Sequence, residues 1–397
     1  MSAHKNMRRG LQLINSQCYN KLDRQWYVKF FVGGYNFMES KILFSSVNYD
    51  RYDADATLPA KFGRLVDRMG MQETVRDKWT VIKMHVGRAI GYTTIPPLFV
   101  KILVDKLKSY GAKVYITDQT VDEAKARGYN EDFLGVPVVP ACGVTGKYFY
   151  EREVSFKGLK NIDVAGNIQD AEVMIDLSHV KGHGACGYGG ACKNIAMGCV
   201  TDRTRQQIHG LEGGIEWDED LCTHCELCVN SCNHKANRFD KDGKYRVFYH
   251  HCTLCQHCVK VCPVSAMKMT SNAYHDFQTG MAICTDEVLK VFKPGHVFYI
   301  NFLLNITALC DCWGLSTPAL VPDIGVMASE DIVAVERACL DAIKVENLIP
   351  SGVPQGHELR SEGHLLERLH GKNPFVQLDE LEKRGLGSQK YFIEEVR

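Results

Sequence analysis

Cys222, Cys225, Cys228 and Cys232 are spaced C-x2-C-x2-C-x3-C, and Cys252, Cys255, Cys258 and Cys262 repeat the pattern and run into Pro263. No other feature of the chain limits its folding so tightly. Close C-x2-C steps let one loop set three thiolates at three corners of a cubane, while the fourth cysteine, carried into a following helix, reaches a neighbouring cubane. The duplication therefore predicts two 4Fe-4S clusters with crossed ligands: Cys222, Cys225, Cys228 and Cys262 on one, Cys252, Cys255, Cys258 and Cys232 on the other. Asp240-Lys241-Asp242-Gly243 supplies turn residues for a hairpin between the halves. Zinc also takes C-x2-C pairs in tetrahedral thiolate sites. Two even sets of four, the second ending in Cys-Pro, argue for iron and sulfide instead.

Across residues 217–271 the module resembles bacterial-type two-cluster ferredoxins, departing at Asn233, where those proteins often carry proline. That change removes no ligand, although it alters local hydrogen bonding. His224, His251 and His257 lie beside the cysteines and read as supporting or surface residues. The resemblance implies one-electron relay at low potential and a redox partner protein as donor or acceptor.

A chain of 397 residues is far longer than such a module needs, so the remainder must bury a core of its own. Lys plus Arg and Asp plus Glu both number 47, and this balance gives no field that would recruit nucleic acid or an anionic membrane. No apolar run approaches the roughly 20 residues that span a bilayer, and 297–306 is broken by Asn301 and Asn305. Of 17 cysteines, eight fall in metal-ligand spacing within a long chain that lacks a signal-peptide pattern. This usage fits a reducing, anaerobic cytoplasm rather than a secreted disulfide scaffold.

From residue 41 strand and helix signals alternate. Residues 41–47, 79–84, 114–117 and 171–177 read as strands, and 58–69, 97–110 and 121–127 as helices, with Gly111 and Gly128 as stops. Beyond the cysteines, 281–292 reads as a helix, 296–306 as a strand, and 329–343 and 358–369 as helices. The fold class is α/β: a mostly parallel sheet with flanking helices, interrupted by an inserted α+β two-cluster ferredoxin-like module. The domains follow as 38–216, the module at 217–271, and 272–397. Residues 1–37 lack a periodic pattern, and Gly33-Gly34 is encodable by a purine-rich ribosome-binding sequence. They are expected to be a non-native or disordered extension ahead of a natural start at Met38.

Outside the module the sequence resembles the family named domain of unknown function 362, whose members frequently carry such an insertion. The resemblance rests on Ile82-Lys83-Met84-His85-Val86-Gly87, Thr117-Asp118, the run from Asp176 to His183, Gly189-Gly190-Ala191-Cys192-Lys193-Asn194, Met197-Gly198, Cys310-Asp311-Cys312 and Pro322-Asp323-Ile324-Gly325. It implies architecture more than a reaction.

The stretch 178–190 follows a predicted strand, and its glycines permit close backbone approach. Gly189-Gly190 opens a predicted helix whose first amide groups could bind an anion, with Lys181 and Lys193 reinforcing it. Gly187, Gly189, Gly190 and Asn194 are the candidate cofactor-binding residues. The spacing is not the dinucleotide G-x-G-x-x-G, and a structural turn with solvated lysines is the alternative to an anion site. His85, His179, Lys181, His183, Lys193, Cys310 and Cys312 each follow a predicted strand and are expected to converge on one pocket facing the module. There an anionic substrate or cofactor would be held, or an additional metal ligated by Cys310, Cys312 and a histidine; C-x-C also serves as a redox thiol pair. An oxidoreductase fed by the clusters is the leading expectation. A ferredoxin-type carrier subunit docking on a partner enzyme and a metal or cluster maturation factor are the alternatives.

Overall fold

The computed structural model describes residues 27–397 apart from 33–34, 233, 250, 253, 255, 271–273, 315 and 356, with side chains from residue 39 onward. Its main sheet has nine strands: β1 (Tyr27–Val32), β2 (Tyr35–Ser46), β3 (Trp79–Met84), β4 (Lys113–Asp118), β5 (Val138–Pro140), β6 (Val173–His179), β7 (Val297–Leu303), β8 (Gly325–Ser329) and β9 (Tyr391–Glu395). The order is β1-β2-β8-β7-β6-β3-β4-β5, with β9 also paired to β2. Strands β7, β6, β3, β4 and β5 run parallel. Strand β8 lies antiparallel between β7 and β2, and β9 runs parallel to β2.

The chain moves outward from β3 to β4 and β5, then crosses to the other side of β3 for β6 and β7. Adjacent β3 and β6 therefore mark the switch point, outside whose carboxyl ends open α/β sheets receive ligands. All seven residues of β6 are buried, as in a strand covered on both faces. Val173, Ile175 and Leu177 join the core under helices α1 (Leu58–Arg68) and α2 (Pro97–Ser109). Met174 joins the opposite core, where α3 (Ala191–Gly198), α4 (His275–Leu289) and α5 (Ile332–Ala342) pack. This period-two alternation leaves the polar Asp176 and Ser178 on the α3 side.

The insertion leaves the domain after α3 and the helix Asp202–His209 that follows it. Ile215–Trp217 pairs antiparallel with Met267–Met269 at its base, and Asn237–Phe239 with Tyr245–Val247 across the middle. The expected hairpin turn forms: Gly243 has φ +73°, and Asp240 accepts from the amides of Asp242 and Lys244.

Several expectations need correction. Residues 329–343 are not one helix, because Ser329 ends β8 and Asp331 caps α5 by accepting from Val333 and Ala334. The helix expected over 358–369 is confined to Leu365–His370, since Gly363 at φ +96° turns the chain and His364 caps its start. Residues 121–127 form a 3-10 turn at Asp122–Arg127. The glycine stretch is a two-stranded ribbon, Lys181–His183 against Gly187–Gly189, rather than an open loop. The hairpin Phe149–Phe156 and Leu159–Ala165 was not anticipated; its first strand is largely exposed and lacks a clean apolar alternation. Of the proposed extension, 1–26 lies outside the described residues, and Tyr27–Val32 pairs with the first half of β2.

Candidate functional site

Within the module, one cavity is lined by Cys222, Cys225, Cys228 and Cys262, and a second by Cys232, Cys252 and Cys258. Cys255 lies outside the described residues, as does Asn233. The two halves repeat an unusual backbone. His224 and Glu226 have φ of +51° and +57°, matched by Leu254 at +59° and Gln256 at +66°, and Lys235 is matched by Ser265. Left-handed residues at equal offsets curl each loop inward around its cysteines. Backbone amides of His224 and Ala236 lie 3.4 and 3.2 Å from the Cys222 and Cys232 sulfurs, contacts that stabilise thiolate charge. Of the histidines beside the cysteines, His224 packs edgewise on Trp217 and tilted on Phe239, while His251 stacks outside the module.

At the switch point of the main sheet a cleft is lined by Lys83 and His85 from β3 and its end, Asp118 from the end of β4, Lys181, and Lys193, Asn194 and Gly198 from α3. Asp118 accepts from Lys83 Nζ at 3.1 Å, from His85 Nδ1 at 2.8 Å and from the Val86 amide at 3.1 Å. Burial alone would raise its pKa, but Lys83 and His85 outweigh burial and hold the carboxyl far below its ordinary range. Lys83 also donates to Asn194 Oδ1 at 2.6 Å, while Asn194 Nδ2 donates to Asp176 at 2.8 Å. Burial raises Asp176 to about 7 despite its bond from Ser178. Gly198 is glycine for a reason of space: a Cβ there would sit 2.3 Å from Lys83 Cε.

The remaining cations face the cleft with fewer partners. Burial, with Lys181 and Arg205 nearby, lowers Lys193 to about 7. His85 Nε2 and Arg205 Nε are buried without a hydrogen-bond partner among the described residues. Burial outweighs the pull of Asp118 and keeps His85 below the usual imidazole value. With Nδ1 spent on Asp118, the ring presents Nε2 to the cleft as a proton acceptor, oriented by a carboxylate.

Asp311 anchors the neighbouring wall. It meets His179 Nδ1 at 2.8 Å and Lys181 Nζ at 3.1 Å, and these two partners depress its carboxyl against the opposing effect of burial. His179 Nε2 lies 2.9 Å from the Leu304 carbonyl. The flanking Cys310 and Cys312 form a disulfide, and a His183 nitrogen lies within 4.8 Å of both sulfurs.

Ring packing and lysine hydrogen bonds join this wall to the module. Trp313 stacks on His251 with ring centroids 4.6 Å apart and planes 9° apart. Lys372 donates to the carbonyls of Gly184, Tyr249 and Cys252, tying the glycine ribbon to the second set of cysteines.

The structure thus brings His85, Lys181, Lys193, Gly190, Asn194 and Cys312 to one cleft. His183 and Cys310 stand directly behind Cys312, whereas His179 is committed to Asp311 and backbone carbonyls. Gly187 and Gly189 are buried in the ribbon rather than on the cleft wall. The expectation that the α3 amides bind an external anion is corrected: Glu336 of α5 already accepts from Ala191 at 2.7 Å and from Cys192 at 3.4 Å. Gly190 allows that approach, since a Cβ would lie 2.2 Å from Glu336 Oε1. Lys83, Asp118 and Asp311 stand inside the sequence segments quoted for the family resemblance, yet no role was read for them. Arg205 carried no sequence signal.

Fold and site together define an iron–sulfur-type cysteine module set into an α/β domain with a cationic cleft at its switch point. The chain belongs to the family described as "Domain of unknown function (DUF362)", whose profile matches residues 80–341. Among curated proteins it is 39% identical over 56 residues to a ferredoxin of Pyrobaculum islandicum, covering 14% of this chain and 52% of that protein. It is 34% identical over 50 residues to the pyruvate synthase subunit PorD of Methanocaldococcus jannaschii, covering 13% and 58% respectively. The chain spans little more than half the length of these curated relatives. A solved structure, the lactate racemase apoprotein from Thermoanaerobacterium thermosaccharolyticum, aligns at 10% identity with a TM-score of 0.30 over 70% of this chain and 56% of that one. Among the described residues no helix is long and apolar enough to cross a membrane.

Proposed function

We propose that the protein is an iron–sulfur oxidoreductase in which two 4Fe-4S clusters relay low-potential electrons to an anionic substrate in the cleft of the α/β domain. The observation that carries this reading is the Trp313–His251 stack, which seats the loop of Cys312, a cleft residue, against the residue preceding Cys252. The cysteine cavities fit two cubanes: four sulfurs line the first, and Cys232 joins Cys252 and Cys258 in the second, with amide-to-sulfur contacts in the first half. Bound there, the clusters supply single electrons. Lys193 and Arg205 hold the anion, and Lys83 is kept from it by Asp118 and Asn194. His85 takes up or returns a proton at Nε2, with Asp118 fixing its tautomer.

The test is anaerobic purification followed by iron and sulfide assay, electron paramagnetic resonance and mass spectrometry of released small molecules. Reducible clusters with a co-purifying small anion support the reading. Zinc in place of iron overturns it. One observation favours a carrier role instead: Leu221, Leu227 and Val261, each next in sequence to a cysteine that lines the first cavity, are exposed, as a docking face for a partner enzyme requires. Stable co-purification of such an enzyme, with no ligand released from the cleft, selects that alternative.

A further inference from the structure

The sequence left Cys310 and Cys312 open as metal ligands or as a redox thiol pair, and the surroundings of His183 separate the two. His183 Nδ1 accepts from the Ala185 amide at 3.2 Å and lies 3.3 Å from Cys186 Sγ. With Nδ1 an acceptor, the ring proton belongs on Nε2. A metal ligated through Nε2 requires the opposite tautomer, in which Nδ1 carries the proton and donates it. A neutral ring with its proton on Nε2 can instead donate a hydrogen bond to a thiolate sulfur. The packing keeps the partners together: a Cβ on Gly182 would lie 2.3 Å from the Ala308 carbonyl oxygen, so the ribbon and the 308–312 segment are in direct backbone contact.

We propose that Cys310 and Cys312 are a two-electron store between the clusters and the cleft. This rests on the oxidoreductase reading above. The S–S bond takes up two electrons and two protons and breaks to give two thiols. One electron comes from each reduced cluster, and a low-potential redox protein supplies both in advance. Both protons come from solvent through the cleft, where Cys312 is partly exposed, while the neutral His183, which has a ring nitrogen within 4.8 Å of both sulfurs, supplies a hydrogen-bond donor to the thiolate that forms. The stoichiometry matches, since two one-electron centres equal one two-electron bond. So does the position. Cys310 is buried, Cys312 reaches the cleft, and the next residue, Trp313, lies on the His251 ring beside Cys252. A cleft served by a dithiol reduces its anionic substrate by an electron pair rather than through a radical.

The test is an anaerobic electron titration of the oxidised, cluster-loaded protein with photoreduced deazaflavin, followed by iodoacetamide quenching and peptide mass spectrometry. The wild type should take up about four electrons per chain, and Cys312→Ser about two with an unchanged reduced-cluster spectrum. In the wild type, Cys310 and Cys312 should become alkylated only after reduction, a readout that does not depend on the variant folding. Equal uptake by the two proteins, alkylation of both cysteines before reduction, or a stoichiometric metal at the pair overturns the proposal. If the reduced-cluster spectrum is present in that case, the oxidoreductase reading stands. Absence of any reduced-cluster spectrum overturns both.

Discussion

Trp313 lies nearly flat on His251, 4.6 Å between ring centroids, and this stack helps join the segment after the Cys310–Cys312 pair to the segment before Cys252. Residues 62 positions apart in sequence thereby put an inserted module and a sheet edge into register. An aromatic pair of this kind contributes about 0.5–1.5 kcal/mol beyond the area it buries. Trp313→Ala should lower the unfolding free energy by at least that much while iron per chain stays unchanged. Chemical denaturation beside an iron assay checks both.

Crossed ligation is testable one cysteine at a time. Cys262 lines the same cavity as Cys222, Cys225 and Cys228 although it is distant from them in sequence. Cys262→Ser should reduce iron from about eight to about four per chain and remove one of two interacting spectra, sparing the cluster held with Cys252. Complete loss of both clusters in a folded variant would contradict the crossed arrangement.

Lys83 and Asp118 form a buried pair, with His85 Nδ1 as a second hydrogen-bond partner of the carboxylate. Removing one member strands the other charge, which costs about 3–5 kcal/mol. Lys83→Met should therefore be more damaging to stability than Lys83→Met combined with Asp118→Asn. A double-mutant cycle by urea unfolding gives the coupling directly.

The α3 entrance depends on Gly190 leaving room for Glu336. Gly190→Ala forces its methyl into Glu336 and Tyr188, and overpacking of this order costs about 1–3 kcal/mol. Thermal unfolding should show the loss. Amide hydrogen exchange should rise at Ala191 and Cys192, whose amides Glu336 accepts from.

Lys193 gives the pH dependence. Its value is near 7 in the fold against 10.5 ordinarily, so between those values the unfolded chain binds the extra proton. Stability therefore falls as pH drops from about 10.5 towards 7, and no further contribution is lost below that. The difference between wild type and Lys193→Met should shrink as pH rises through this window in denaturation experiments. Binding of inorganic phosphate, which favours the charged amine, should weaken as pH rises above 7 in the wild type, measured by calorimetry. A pH-independent difference between the two proteins would show that Lys193 keeps its ordinary value.

The sequence by itself determined what is local. Ligand spacing is carried by neighbouring residues, so the two cysteine sets and their hairpin were legible, as were β3, β4 and the start and stop of α2 at Pro97 and Gly111. So was the mostly parallel sheet, because continuous apolar runs between helices have no other stable burial. Only the tertiary structure decided the partners of charge. Glu336 capping α3, Asp118 shared by Lys83 and His85, Asp311 between His179 and Lys181, and Arg205 at the cleft each join elements far apart in sequence. No period or spacing encodes such a pairing. Burial forces each charged group to find a counter-charge or accept a shifted pKa, and which neighbour it finds is fixed when the β3–β6 switch point closes.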